Sequence, residues 1–391
     1  MKRILVVSFC TRRGNTTGLT GNMLSAFADT DRYKYEISLL DTNYFEDGHR
    51  AEDYPVDCYY SLPARPWDKL VKKIPGFRAK YAASLAVSTL KENLKSHKYD
   101  LIVIYQVASF ADRYVKLCNE ANVKVLMWPW GSDILCCAPT TRKRIQKAFD
   151  NVNFVGGAPK SNCILSAQND YGVPVEKLRL AKNYLPGVLK IQQLVGKKNR
   201  KEIHDVLDIP FSDYNIVCCY NGYATHRHNI ILDAIIANKD VLPKNYQMIF
   251  PMTYGAAPDY RNQIRQRCRD NQLNAVFFTS FLSNEQMAYL HLVTDLFINI
   301  QESDCGNAFM IEALFAKNKI VTGRWLHYEQ FEQFGVPYYL IDTPQDLSAE
   351  LHRIFTDPDY RVFVPEALVN MYRVPDDYRR DSYWTDLVDS L

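Results

Sequence analysis

At 391 residues the chain is too long for one hydrophobic core and predicts two domains of roughly 190 residues each. A net charge of +3, with 47% hydrophobic and 23% charged residues, is that of an ordinary globular protein and too small to imply nucleic acid, so no such partner is expected. No apolar run reaches 18 residues, and Met1-Lys2-Arg3 leads straight into a strand with no apolar signal segment. The ten cysteines form no CxxC pair and no metal-ligand spacing. They read as reduced, small core residues of a cytoplasmic protein without a metal site.

Lys2–Phe9 is a nearly unbroken apolar run, the pattern of a strand buried on both faces of a parallel sheet. A Gly/Thr/Asn-rich stretch, Thr11 to Gly21, follows, and then a helix through Met23, Leu24 and Phe27. Such a loop lets a phosphate or substrate approach the backbone, which makes Gly14, Asn15, Thr16 and Gly18 candidate binding residues. Its Ser8-x-x-x-Arg12-x-Gly14-Asn15-Thr16 spacing resembles the phosphate loop of flavodoxin-like reductases, and a plain structural turn is the other reading.

Tyr35–Leu40 is the second strand. From Ser61 to Lys98 nine Lys and Arg residues stand against Asp68 and Glu92, interleaved with Trp67, Leu70, Val71, Ile74 and Phe77 and broken at Pro75-Gly76. This suits a segment resting on an anionic membrane surface; the alternative is a solvated helical face. Asp100–Tyr105, Val123–Trp128 and Val152–Val155 are further strands with helices between them, the alternation of a doubly wound α/β sheet. After the second of these comes Trp130-Gly131-Ser132-Asp133, where Asp133 is a candidate general base or a helix N-cap. The Lys-rich stretch Gly196–Lys201 reads as a linker, so the domains are drawn at 1–195 and 196–375, with an amphipathic tail, 376–391.

The second half repeats the alternation. Strands are expected at Asn215–Tyr220, Tyr246–Gly255, Val276–Thr279, Leu296–Ile298, Lys319–Thr322 and Tyr338–Ile341, with helices at Ile230–Ala237, Asn284–Val293, Gly306–Lys317, Leu326–Phe334 and Pro344–Phe355. The turn after the first of these strands holds Gly222, Arg227 and His228, and Arg227 is its one permanent cation. An acidic, glycine-bearing turn (Asp304, Gly306, Asn307) follows the strand at Leu296–Ile298, at the sheet end where open α/β sheets bind ligands. Glu312 falls inside the next helix among apolar neighbours, so its carboxylate needs a partner. A capping acid and a structural buried Glu are the plain alternatives for this pair.

Asp304 and Glu312, eight positions apart, resemble the paired-acid signature of the family-four, GT-B-fold glycosyltransferases: acidic–Gly–Phe–Gly, four further residues, then Glu-Ala. Here Asp304 stands for the first Glu and Cys305-Gly306-Asn307 for Gly-Phe-Gly. The resemblance implies an α/β, GT-B architecture: two Rossmann-like doubly wound domains facing a cleft, the first binding acceptor, the second the nucleotide-sugar donor, and a C-terminal helix crossing back to the first domain. It implies that Glu312 holds the donor ribose, that Asp304 contacts hydroxyls of the donor sugar at the reaction centre, and that the Gly306 and Asn307 amides face the phosphates or the sugar. Around Gly222, position-matching puts Tyr223 and His228 where the family carries an Arg and a Lys on the diphosphate, and Arg227 is the candidate for that contact.

The Gly131-Ser132-Asp133 turn is similar to one that lies near the acceptor in the same family, with Trp130 and the first-loop residues Gly14, Asn15, Thr16 and Gly18 on that side. Pro251-Met252-Thr253-Tyr254 resembles a segment of the fucosamine-type lipid-linked transferases (family fifty-six) that sits beside the donor nucleotide, which places Tyr254 at the base or ribose. Family four retains anomeric configuration and family fifty-six inverts it; the paired acids favour the former and the Pro-Met-x-Tyr segment the latter. The implied activity is metal-independent hexosyl transfer from a nucleoside-diphosphate sugar, a co-substrate and not a cofactor, to a hydroxyl of a lipid-linked glycan in capsular or surface polysaccharide synthesis. A sugar-nucleotide epimerase, a non-catalytic GT-B partner subunit and a flavodoxin-like reductase are the competing expectations.

Overall fold

The computed structural model describes all residues except 9–18, 29–33, 43–53, 72–73, 75–76, 108–109, 136, 181–184, 305 and 375–381. The chain divides into two compact units, Met1–Tyr184 with Asp377–Leu391, and Leu185–Asp376.

The first unit is built on seven parallel strands: β1 (Lys2–Ser8), β2 (Tyr35–Asp41), β3 (Cys58–Ser61), β4 (Leu101–Tyr105), β5 (Lys124–Trp128), β6 (Phe154–Gly157) and β7 (Leu178–Leu180). Their order is β3-β2-β1-β4-β5-β6-β7. Ile4 to Val7 and Ile102 to Ile104 are fully buried, as a parallel sheet covered on both faces requires. The edge strand β3 had no signal in the sequence; its tyrosines are half-buried on an edge, where the apolar pattern is weak.

The second unit holds six parallel strands: β8 (Tyr214–Cys218), β9 (Tyr246–Pro251), β10 (Ala275–Phe278), β11 (Leu296–Asn299), β12 (Lys319–Gly323) and β13 (Tyr339–Ile341), in the order β10-β9-β8-β11-β12-β13. Alternate residues divide between two cores. Ile216, Cys218, Met248, Phe250 and Ile298 pack with helices His228–Ala237 and Leu347–Thr356. Val217, Ile249, Phe297 and Ile320 pack with helices Asn284–Val293 and Ala308–Phe315. Successive side chains of a strand point to opposite faces, so continuous apolar runs give one core on each side.

Two expectations are corrected here. Gly196–Lys201 is not the boundary: the helix Pro186–Leu194 already belongs to the second unit, and Asn199 caps the helix Arg200–Leu207 in a reciprocal pair with Glu202. The helix expected over Leu326–Phe334 is broken into a 3-10 turn, Arg324–Leu326, and a single turn, Glu329–Glu332, with His327 in the left-handed region between them.

The tail does return to the first unit. Helix Ser382–Asp389 sets Trp384 with its ring centre 4.5 Å from that of Trp128, 6.0 Å from Tyr105 and 6.4 Å from Phe27. Polar groups fasten its end: Lys2 Nζ donates to the Val388 carbonyl at 2.6 Å, Tyr35 donates to Asp389 Oδ1 at 2.6 Å, and Lys34 pairs with Asp389. Burial first, and then the Asp389 acceptor, push the Tyr35 hydroxyl up to about 12. Trp384→Ala empties this aromatic nest and is expected to destabilise the first unit by about 3–5 kcal/mol. Calorimetry checks this as a lowered melting transition for the first unit with the second unchanged.

Candidate functional site

In the second sheet β8 and β11 are neighbours, but the chain leaves β8 toward β9 and β11 toward β12. That divergence opens a crevice beyond their carboxyl ends, the ligand position of an open α/β sheet. The loops rimming it are tied together. Cys219 N–H donates to the Ile298 carbonyl at 2.9 Å and Glu302 N–H to that of Thr225 at 3.0 Å, while the Tyr220 hydroxyl meets Gln301 Oε1 at 3.1 Å. Arg227, held at φ 59°, lays its guanidinium 5.3 Å above the Trp325 ring and donates to the Ile300 carbonyl at 3.3 Å. The one permanent cation of this turn is therefore anchored at the crevice by two contacts.

The turn after β11 is built around Asp304. Its Oδ2 accepts from the Asn307 side-chain amide at 2.5 Å and from the Tyr328 hydroxyl. Asn307 Oδ1 in turn accepts the Met310 N–H at 2.8 Å, capping helix Ala308–Phe315. Gly306 sits at φ +81°, where an L side chain is strained, and a Cβ there would stand 2.1 Å from Gln330 Nε2 and displace that side chain. The remaining first-turn N–H groups have no intrahelical partner and, with the helix dipole, favour an anion at this end.

Glu312 is 8% exposed, its Oε2 lies 3.0 Å from His291 Nε2, and it lies against Gly187, whose added Cβ would fall 2.0 Å from Oε1. The second acid thus has the partner that its burial requires, a fully buried histidine. His228 is completely buried as well, its Nδ1 3.2 Å from the Tyr260 hydroxyl, with His226 stacked 6.1 Å away. Burial pushes His228 down to about 4, partly offset by the Asn221 backbone. Burial and the charge of His228 push His226 down to about 3. Both are neutral near pH 7 and bring no charge to a phosphate.

An aromatic rim lies beside the crevice. Gly222 N–H donates to the Tyr254 carbonyl at 2.8 Å. Tyr254 stacks on Phe281 (5.8 Å between centres, 13° between planes) and meets Tyr223 edge-on at 6.1 Å. Phe281 is 60% and Tyr223 44% exposed, unusual for large apolar rings.

In the first unit, Asp133 accepts from the backbone N–H groups of Val107 (2.8 Å), Gly131 (2.8 Å) and Trp130 (3.0 Å). Burial raises its carboxyl above the ordinary value, opposed by these donors. Both oxygens are thus used in holding the turn. Trp130 packs edge-on against Tyr105 at 5.0 Å. Gly14, Asn15, Thr16 and Gly18 lie outside the described residues.

No known family profile and no curated protein matches this chain. Solved structures do. WaaG, a glycosyltransferase of lipopolysaccharide biosynthesis, aligns over 99% of both chains with a TM-score of 0.67 at 11% identity. Anabaena HepE, solved with UDP and glucose, aligns over 100% of this chain and 99% of its own with a TM-score of 0.64 at 14% identity. The chain has the GT-B fold. A UDP-GlcNAc 2-epimerase from Neisseria meningitidis, bound to UDP-GlcNAc, aligns over 100% and 99% with a TM-score of 0.57 at 11% identity.

Within this GT-B chain the structure gathers Gly222, Arg227, Tyr254, Asp304, Gly306 and Asn307 at the carboxyl edge of the second sheet. It also brings in Tyr328, Asn299 and Phe281, which sequence reading missed: each is an ordinary apolar or capping residue until the fold sets it beside the others. The buried histidines make a pH prediction. A histidine held below its unfolded value of about 6.5 adds stability that is full above that value and is lost as pH falls toward the folded pKa. Each should cost about 2 kcal/mol between pH 6.5 and pH 5. Denaturant unfolding at both values checks this, with His226→Phe expected to flatten the profile.

Proposed function

We propose that the protein is a glycosyltransferase, moving a sugar from a nucleoside-diphosphate sugar to a hydroxyl of a glycan acceptor. The observation carrying this reading is the crevice between the loops after β8 and β11, where Arg227, the amino end of helix Ala308–Phe315 and the Asp304 carboxylate come together. In the proposal Arg227 and the first-turn amides take the diphosphate, stabilising the leaving group as charge develops. Asp304 takes hydroxyls of the donor sugar, and the Tyr223–Tyr254–Phe281 rim flanks the base or ribose. The structural neighbours that act on or bind UDP compounds support the class. The epimerase neighbour favours a second reading, in which the same donor pocket works without an acceptor; release of free nucleotide on adding acceptor separates the two.

The acceptor is proposed to be lipid-linked and its synthesis to run at a membrane surface. Support comes from residues 61–98, where Trp67, Ile74 and Phe77 are each about half exposed. Trp67 donates to the Tyr81 hydroxyl at 2.8 Å and Phe77 stacks on the same ring at 6.2 Å, in a stretch of sequence rich in Lys and Arg. Aromatic rings among cations are the composition of an interfacial anchor. Among the described residues no helix is long and apolar enough to cross a membrane.

The donor reading is tested by thermal shift with UDP, GDP, dTDP, CMP and FMN on wild type and Arg227→Ala. At about a hundred times its Kd a ligand stabilises by roughly 2.7 kcal/mol, so one nucleotide should raise the melting temperature of wild type and much less that of the variant. A shift by FMN alone would instead mark a flavoprotein. For the membrane, flotation with vesicles of 30% anionic lipid should retain wild type and lose Trp67→Ser/Phe77→Ser, with retention falling as salt rises.

A further inference from the structure

Strand β10 is the outer strand on one side of the second sheet, bonded to β9 alone among the described strands. The Met248 N–H donates to the Asn274 carbonyl at 2.8 Å, which sets the phase of the ladder. Asn274, Val276 and Phe278 turn their backbone groups toward β9, so those of Ala275 and Phe277 point outward. The opposite outer strand, β13, buries Tyr339 and Ile341. In β10 all four residues are half-buried, with no proline and no charge among them to block the edge.

Helix Pro258–Asp270 runs beside this strand and carries an arginine at every fourth residue: Arg261, Arg265 and Arg269. That spacing puts them in one row, where like charges repel. The Arg265 guanidinium lies 5.1 Å above the Phe277 ring. Arg265 and Arg269 border a hollow of about 370 Å³, lined otherwise by Cys268, Leu273, Ala275 and Phe277. Arg269 donates to Gln266 Oε1 at 2.8 Å, and Arg261 Nε is buried without a partner. Among the described residues none of the three forms an ion pair, whereas Arg267, off the row, holds Asp233.

We infer that β10 and this row of arginines form a docking edge for an extended, acidic segment of a partner protein. Residues four apart on a helix lie about 6 Å apart along its axis, and alternate residues of a strand about 6.7 Å. A strand added to β10 with an acid at every second position therefore sets a carboxylate against each arginine. Its backbone also pairs with the outward groups of Ala275 and Phe277, which lipid headgroups do not do. A second copy of this chain is the wrong occupant. Antiparallel pairing of β10 with itself would lay two arginine rows side by side on one face of the joined sheet. None of the crevice residues takes part, so the docking edge stands apart from the donor reading.

The test titrates the full chain with a short synthetic peptide alternating Glu and Val. Beside it run the Lys/Val counterpart and two N-methylated forms, one methylated on every Glu and one on every Val. The Glu/Val peptide is expected to bind, less tightly as salt rises, and the Lys/Val peptide not to bind. One N-methylated form should lose binding and the other keep it, because only alternate amides of an added strand face β10. Hydrogen exchange at the Ala275 and Phe277 amides should slow in the complex. Arg265→Glu/Arg269→Glu should weaken the Glu/Val peptide on the order of tenfold and admit the Lys/Val peptide, with the circular dichroism of wild type. The neutral pair, Arg265→Gln/Arg269→Gln, should fall between.

Equal binding of the two N-methylated forms, or unchanged exchange at Ala275 and Phe277, would make the row a plain anion surface and overturn the added strand. Without peptide binding, retention of wild type on vesicles of about 30% anionic lipid, lost in Arg265→Glu/Arg269→Glu, would give the edge to a membrane instead. Sedimentation of wild type as a dimer that the same variant dissociates would give it to a second copy. Either result overturns the inference, as does failure of the Glu/Val peptide to bind.

Discussion

Pairing of β8 with β11 is the constraint on which the second unit depends. Two strands that are adjacent in the sheet, but whose chains leave in opposite directions, have no connection to cover their carboxyl ends. The backbone groups of both loops still need partners. They find them across the gap, in the bonds of Cys219 to Ile298, Glu302 to Thr225 and Arg227 to Ile300. These bonds fix the two loops to each other and hold Arg227 against the loop that leads to the turn of Asp304. Without the divergence the loops would close over the sheet as ordinary turns.

Charge in this region is disposed by burial. The guanidinium of Arg227 stays at the surface of the crevice, supported by the Trp325 ring, because a guanidinium is weakly hydrated and stacks well. His226 and His228, which flank it on either side in the same turn, are buried and neutral. The positive charge available to an anion thus comes from one fixed side chain and from helix amides, both independent of pH in the physiological range. Asp133 and Asp304 illustrate a second regularity. Each carboxylate sits in a turn at the carboxyl end of a parallel sheet and organises it, Asp133 by collecting backbone N–H groups, Asp304 by collecting side chains. Both draw on groups that a neighbouring strand delivers, the Val107 N–H beyond β4 and the Tyr328 hydroxyl beyond β12.

Strands were the most legible part of the sequence. Ile4–Val7, Ile102–Ile104 and Phe297–Ile298 are apolar runs too short for helices, and each is a buried central strand. One edge strand was not legible, although the edges β10 and β13 were: β3 pairs on one side only and is half-buried, so its residues carry little pattern. The boundary at 196–201 was misplaced because lysines mark solvent and not a domain limit; that stretch is a turn and the start of helix Arg200–Leu207 inside the second unit. Within the site, Asp304, Gly306 and Asn307 were readable because a turn is a local object, whose residues meet through a few bonds of backbone. Glu312 was correctly expected to need a partner, but the partner, His291, is twenty-one residues away.

Composition and periodicity by themselves determined that this is an α/β chain of two parallel sheets, with its acidic turn at the carboxyl end of a central strand. Those properties follow from side-chain burial and from the short-range geometry of strand, turn and helix, which neighbouring residues specify. Tertiary structure alone decided which titratable groups keep their charge, that Glu312 pairs with His291 beside Gly187, and that a tyrosine from beyond β12 grips Asp304. Charge state and hydrogen-bond partnership depend on what lies across space from a group, and no spacing along the chain encodes that.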